Sequence, residues 1–148
     1  MDKKELAKEL SSLAQLDIDA VHAYQEAIDK IDHVQIRNQL TRYREDHNQH
    51  VTALSAQIRK LGETPPEFAP DFKGFIIQGF TSLRSATGTE GALKAMHTNE
   101  KLTNSKYNDA AKWTNLPVDL KQMIAMALED ERRHIEYIEH VLEHKIWE

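Results

Sequence analysis

The 148-residue chain contains no cysteine. That absence excludes disulfides, thiolate zinc sites, iron–sulfur clusters and thiol catalysis. Glycine and proline are scarce, at 5 and 4 residues, and neither occurs between Lys4 and Leu61. Basic residues are not in excess: the net charge is −5 and the pI about 5.9. With no basic stripe either, nucleic acid is not an expected partner. The N-terminus, Met1-Asp2-Lys3-Lys4-Glu5, opens an amphipathic segment rather than a long apolar run. Neither a signal peptide nor a transmembrane span is expected, and the cytoplasm is the expected compartment. What is present is a soluble globular balance, 40% hydrophobic and 29% charged, in a chain of single-domain length, taken as residues 1–148.

Helical periodicity dominates. A polar break at Asp29-Lys30-Ile31-Asp32-His33 divides the first sixty residues into two helices, which predicts a tight antiparallel hairpin. Gly62-Glu63-Thr64-Pro65-Pro66 ends the second helix. Residues 71–85, "DFKGFIIQGFTSLRS", have the pattern of a short apolar helix. Gly88-Thr89-Glu90-Gly91 starts a third long helix running to about Trp113. Asn115-Leu116-Pro117 forms a turn, and a fourth helix runs from about Val118 to Ile146. The first and last connections are short, whereas the middle one is long enough to return along a helix of about 40 Å. The expected fold is all-α: a four-helix bundle of two antiparallel hairpins joined by a long crossover that contains a short helix. Phe75, Ile76, Ile77, Phe80 and Leu83 need cover from the bundle or from a second subunit, and residues 71–85 are the expected contact of a homodimer.

Two hexapeptides are nearly identical: "EDHNQH" at 45–50 and "EDERRH" at 129–134, 84 positions apart (45 to 129). On the second helix Ile36, Leu40, Tyr43, His47, His50, Leu54 and Leu61 form one stripe. On the fourth, Leu120, Ile124, Ala127, Glu131, His134, Ile138 and Val141 do the same. The first helix gives Leu6, Leu10, Leu13, Asp17, Ala20, Tyr24 and Ile28. The third gives Leu93, Met96, Glu100, Thr103, Tyr107 and Ala110. Every stripe thus carries an ionisable residue at its middle, and Asp17/Tyr24 and Glu100/Tyr107 repeat an acid–Tyr spacing of seven. Isolated buried charges cost several kcal/mol each, and converging carboxylates repel. A bound divalent cation removes both penalties, and mixed carboxylate–imidazole donors suit iron, manganese or zinc. Asp17, His47, His50, Glu100, Glu131 and His134 are therefore the candidate metal ligands, with a self-satisfied buried polar cluster as the alternative. Tyr24 and Tyr107 are the candidate donors to the carboxylates. Asp19 falls off the stripe. His97 is assigned to the helix surface or to the surroundings of the site, and His22, His33, His140 and His144 to solvent.

In these motifs the chain resembles the ferritin-like superfamily of carboxylate-bridged di-metal proteins, which includes bacterioferritins and rubrerythrins. It is most similar to small bacterial single-domain members of unassigned function. The resemblance spans about residues 4–146. In that family two helices each carry Glu with Tyr seven residues on, and two carry Glu-x-x-His. Glu100/Tyr107 and Glu131-x-x-His134 match. Asp17 stands where the family has Glu, and His47 stands where it has a bridging Glu. The resemblance implies a non-haem di-iron or other di-metal site in the bundle core, with iron as two ions and with manganese, zinc or a single ion as alternatives. It implies ferroxidase or peroxide-reducing chemistry connected with stress. His47 in place of a bridge predicts unequal halves, with Glu100, Glu131 and His134 the tighter. The competing expectations are a non-catalytic structural bundle and an interaction module that uses the crossover.

Overall fold

The computed structural model describes residues 1–71 and 82–148. It is all-helical among these residues, with four long helices: α1 (Lys3–Lys30), α2 (Val34–Lys60), α3 (Gly88–Ala110) and α4 (Val118–His144). Asp2 caps α1, its carboxylate accepting from Glu5 N at 2.8 Å, which satisfies one of the free N–H groups of the first turn. His33, expected in solvent, is instead half-buried and caps α2 by accepting from Ile36 N at 3.3 Å. Gly62 ends α2 at φ +80, a left-handed conformation that costs glycine little. The last two helices stop slightly sooner than their periodicity suggests. α3 ends at Ala110, and α4 is closed by a left-handed Lys145 whose N–H reaches Val141 O.

Side-chain pairings fix the directions. Tyr24 meets Glu100 and Tyr107 meets Asp17, so α1 and α3 are antiparallel. Arg44 meets Gln25 while His47 meets Asp17, so α1 and α2 are antiparallel as well, and α2 therefore runs parallel to α3. His50 with Asp130 and Asp46 with His134 set α4 antiparallel to α2. α1 packs on α2 and α3, and α4 packs on α3 and α2, while the parallel pairs lie diagonally. The architecture is the ferritin-like four-helix bundle with its long second connection.

The described ends of that connection are tied to α1. Gln15 Nε2 donates to Ala69 O at 2.9 Å, and Asp71 N donates to Asp19 Oδ1 at 2.8 Å. Further on, Lys30 Nζ donates to Ala86 O at 3.0 Å, and Leu83, in a helical turn at 82–85, is fully buried. The connection thus meets α1 first near its middle and again at its C-terminal end. Asp19 does point away from the bundle axis but is buried beneath this connection, and that burial pushes its carboxyl above its usual range. Phe75, Ile76, Ile77 and Phe80 lie outside the described residues.

Two apolar clusters fill the bundle ends. One includes Ile28, Ile36, Leu40, Leu93 and Ile138; the other includes Leu10, Leu54, Ile58, Leu120 and Ile124. Ile58, which the predicted stripe skips, completes the α2 face between Leu54 and the half-buried Leu61. Between the clusters lies a polar layer that neither absorbs. No helix among the described residues is long and apolar enough to cross a membrane.

Candidate metal centre

The mid-stripe residues meet in that layer. Asp17, His47, Glu131 and His134 are completely buried, and Glu100 and His50 nearly so. From these six, two donor groups form: Asp17, His47, His50 and Glu131 in one, and His47, Glu100, Glu131 and His134 in the other. The four helices contribute Asp17 (α1), His47 and His50 (α2), Glu100 (α3), and Glu131 and His134 (α4).

In the first group, Asp17 Oδ1 lies 2.7 Å from His47 Nδ1 and 3.1 Å from His50 Nδ1. Glu131 Oε1 lies 3.4 Å from His47 Nδ1 and 3.6 Å from His50 Nδ1. In the second, Glu100 Oε1 lies 3.3 Å from His47 Nε2 and 3.5 Å from His134 Nδ1. His134 Nδ1 is also 3.6 Å from Glu131 Oε2.

The surrounding residues repeat with near two-fold symmetry. His50 Nε2 pairs with Asp130 Oδ2 and His134 Nε2 with Asp46 Oδ2, both at 2.8 Å. Tyr107 donates to Asp17 Oδ2 at 2.5 Å, and Tyr24 donates to Glu100 Oε1. Thr103 Oγ1 lies 3.1 Å from Glu100 Oε2 and 2.9 Å from Glu131 Oε2. Asn104 Nδ2 donates to the backbone oxygens of Glu100 and Glu131, at 2.8 and 3.0 Å, and so ties α3 to α4 beside the site. His97 stays outside the cluster, half-buried with its Nε2 3.2 Å from Glu139. Asp46, Asp130 and Asn104 were not singled out from the sequence. The signal for the two aspartates was there, since "ED" opens both hexapeptides, but they flank the apolar stripe instead of lying on it.

Burial opposes every charge in the layer, and neighbouring charges decide the outcome. Burial would raise the Asp17 carboxyl, yet His50 and His47 hold it below its ordinary value. Glu100 is likewise raised by burial but held well below its range by His134 and His47. Glu131 is the exception, pushed up to about 7 by burial and by Glu100. The imidazoles resist burial through carboxylate partners. His50 rises to about 9 through Asp17 and Asp130, His134 to about 10 through Asp46 and Glu100, and His47 well above its normal value through Glu131 and Asp17. The Tyr24 and Tyr107 hydroxyls, buried against carboxylates, are held in the protonated, donating form.

These residues fit a metal on two grounds. Glu131 Oε1 and His134 Nδ1 are buried without a hydrogen-bond partner, a cost of about 1–3 kcal/mol each that coordination would remove. The spacing also suits an ion. Two donors held about 2.1 Å from one ion lie about 3.0 Å apart at right angles and about 3.4 Å apart at the tetrahedral angle. The carboxylate–imidazole separations here run from 2.7 to 3.6 Å, and the donor atoms of each group all lie within 4.8 Å of one another.

The family described as "Domain of unknown function (DUF2383)" matches residues 5–113. The chain belongs to this family. The matched stretch holds α1 from Glu5 onward and all of α2 and α3, and with them Asp17, His47, His50 and Glu100, while Glu131 and His134 on α4 lie beyond it. The bundle is also similar to a solved structure described as "ferritin like, diiron-carboxylate proteins" from Bacillus anthracis str. Ames. The TM-score is 0.73 at 18% identity, over 96% of this chain and 98% of that one. That likeness establishes the ferritin-like fold. None of the curated proteins matches the sequence.

Proposed function

We propose that the protein is a metal-binding ferritin-like protein whose bundle core holds a non-haem di-iron or related di-metal site for handling iron, oxygen or peroxide. One observation carries this. His50 and His134 each turn Nδ1 into the polar layer and give Nε2 to an aspartate behind it. Metal-ligating histidines commonly show that arrangement, since the outer carboxylate fixes the tautomer and leaves the inner nitrogen's lone pair for the metal. The solved structure of the same fold, described as a diiron-carboxylate protein, supports iron as the first choice.

In this reading Asp17 and His50 would hold one ion and Glu100 and His134 the other, with Glu131 shared between the two halves. Bound iron would supply reversible one-electron chemistry toward dioxygen or peroxide. The chain's own contribution is positioning and exclusion. Tyr107 and Tyr24 orient the two terminal carboxylates, Asp130 and Asp46 orient the two imidazoles, and the apolar clusters at either end keep bulk water from the layer. Ligands from the first helix and from the last make residues 1–148 one functional unit, which we place in the cytoplasm. Dimerisation through residues 71–85 and a part in the stress response complete the proposal.

A second reading is a structural bundle whose polar layer satisfies itself. His47 favours it, because its ring reaches Asp17 and Glu100 at once. Metal content of protein purified without chelator, followed by oxygen consumption on addition of ferrous iron, separates the two. Metal together with oxygen uptake supports the di-metal site; protein that takes up neither iron, manganese nor zinc is a structural bundle.

A further inference from the structure

His47 lies between the two halves of the centre, not within one of them. Its Nδ1 faces the first donor group, 2.7 Å from Asp17 Oδ1 and 3.4 Å from Glu131 Oε1. Its Nε2 faces the second, 3.3 Å from Glu100 Oε1. Glu131 behaves in the same way: Oε1 faces His47 Nδ1 and His50 Nδ1, while Oε2 lies 3.6 Å from His134 Nδ1. Two residues are thus common to both donor groups, and each turns one donor atom to either side. Of the three histidines in the layer, His47 alone has both ring nitrogens directed into it, because Asp130 and Asp46 take the outer nitrogens of His50 and His134.

We propose, building on the di-metal reading above, that His47 is the second bridge of the centre: an imidazolate that binds one divalent ion through Nδ1 and the other through Nε2. Each ion needs the lone pair of one ring nitrogen, so every N–H proton the ring carries is released to solvent as the two ions bind. Charge then closes without an exogenous anion. Two divalent ions bring four positive charges; Asp17, Glu100, Glu131 and the imidazolate bring four negative ones. His47 thereby does the electrostatic work of a fourth carboxylate at greater reach. With metal–nitrogen bonds of about 2.0–2.1 Å on opposite sides of the ring, the ions stand about 6 Å apart. Two-metal sites without such a ring stand about 3.5–4 Å apart, so at the longer span the ring sets the distance and Glu131, with one oxygen toward each half, reaches the two ions from outward-facing lone pairs.

Copper(II) is the probe, with bound metal counted by elemental analysis and the spins followed by electron paramagnetic resonance. The wild-type chain should bind two copper ions, and the second equivalent should extinguish signal through coupling across the ring, with a separation near 6 Å. His47→Gln, whose amide offers one oxygen and no ring nitrogen, should weaken the second ion by at least the roughly 10–100-fold that loss of even an outer partner costs, and the coupling should disappear. Free imidazole added to His47→Ala should restore both. His47→Glu should hold two ions at the shorter carboxylate spacing, which keeps the comparison interpretable if a smaller residue unfolds the core. Two coupled ions in His47→Gln, additive uncoupled signals in wild type, or a wild-type separation of 3.5–4 Å would each remove His47 as the bridge while leaving a metal centre in place. A wild-type chain that binds no copper, iron or zinc would remove the centre itself.

Discussion

His134 and Asp46 face one another across the α2–α4 interface, Nε2 to Oδ2 at 2.8 Å, and His50 and Asp130 repeat the relationship at the same distance in the opposite sense. Each hexapeptide therefore supplies a histidine of one donor group and the carboxylate that pairs with a histidine of the other. The repeat in the sequence becomes reciprocal support in the fold, and neither half can be built from one hairpin alone.

That reciprocity sets the first prediction. Asp46→Asn and Asp130→Asn leave all six candidate ligands in place but remove the charge that fixes each imidazole tautomer. Each should weaken metal binding by about 10–100-fold. The double variant should lose more than either single, because both halves then lose orientation. Competition against a chromophoric chelator measures this. Wild-type affinity in both single variants would mean that His50 and His134 are not ligands.

Much of this was legible from periodicity. The four stripes place Asp17, His47, His50, Glu100, Glu131 and His134 on inward faces, and these six side chains do come together. The hairpins and the returning connection followed from where glycine and proline cluster. What could not be read depends on which helices are neighbours. Tyr24 serves Glu100 and Tyr107 serves Asp17, each across the α1–α3 interface and not within its own motif. That crossing requires α1 and α3 to be adjacent and antiparallel. Asp130 is not marked by periodicity because one residue of helix turns its side chain about 100° off the stripe; His50 on α2 lies within its reach. Asp19 is buried by the crossover, whose docking on α1 no periodicity reveals.

Tyr24→Phe and Tyr107→Phe should each destabilise the metal-free fold. Each removes a buried hydrogen bond to a carboxylate held ionised, worth about 1.5–3 kcal/mol. Urea unfolding in the presence of chelator checks the size. The two losses should not add simply, since both hydroxyls belong to one network that includes His47. The deficit should shrink once metal is bound, because the ion then stabilises the same oxygens. A loss below about 0.5 kcal/mol in both variants would show that the tyrosine–carboxylate pairs carry little of the layer's stability.

The pH dependence of the metal-free and metal-bound proteins should diverge. His50 and His134 have folded values of about 9 and 10 against an ordinary 6.5. Their contribution to metal-free stability is complete below pH 6.5 and is lost as pH rises through 9 to 10. Asp17 and Glu100 are depressed, so their contribution is present above the ordinary carboxylate range and is lost in acid. Chelated protein should therefore be most stable in mild acid and weaken through pH 7–10. Metal binding requires unprotonated inner nitrogens and releases protons, so the stabilisation that metal adds should grow over that same interval. Thermal melts with chelator and with excess manganese, taken at intervals from pH 5 to 9, give both curves. A gap between them that narrows as pH rises would contradict the assignment of His50 and His134 as ligands.

Glu131 gives the sharpest separation of metal binding from folding. It is completely buried, one of its oxygens has no partner, and burial together with Glu100 pushes its carboxyl up to about 7. Without metal, ionised Glu131 is a liability to the fold. For an acid with a raised folded value, the penalty is absent below the ordinary 4.5, grows between 4.5 and 7, and is fully present above. Glu131→Gln keeps the shape and an oxygen for Thr103 while removing the charge. The metal-free variant should melt at the wild-type temperature near pH 5 and above it at pH 8. Its metal content should fall to a small fraction of wild type, because the group shared between the halves has lost its charge and one of its two oxygens. Glu131→Ala should lose metal equally but also leave a cavity, so its metal-free melting point should lie below that of the Gln variant. Elemental analysis and calorimetry on the three proteins at the two pH values decide the matter. If Glu131→Gln retains wild-type metal content, Glu131 is not a ligand. If the variant is destabilised at both pH values, the carboxylate is a structural hydrogen-bonding group and the polar layer does not depend on an ion.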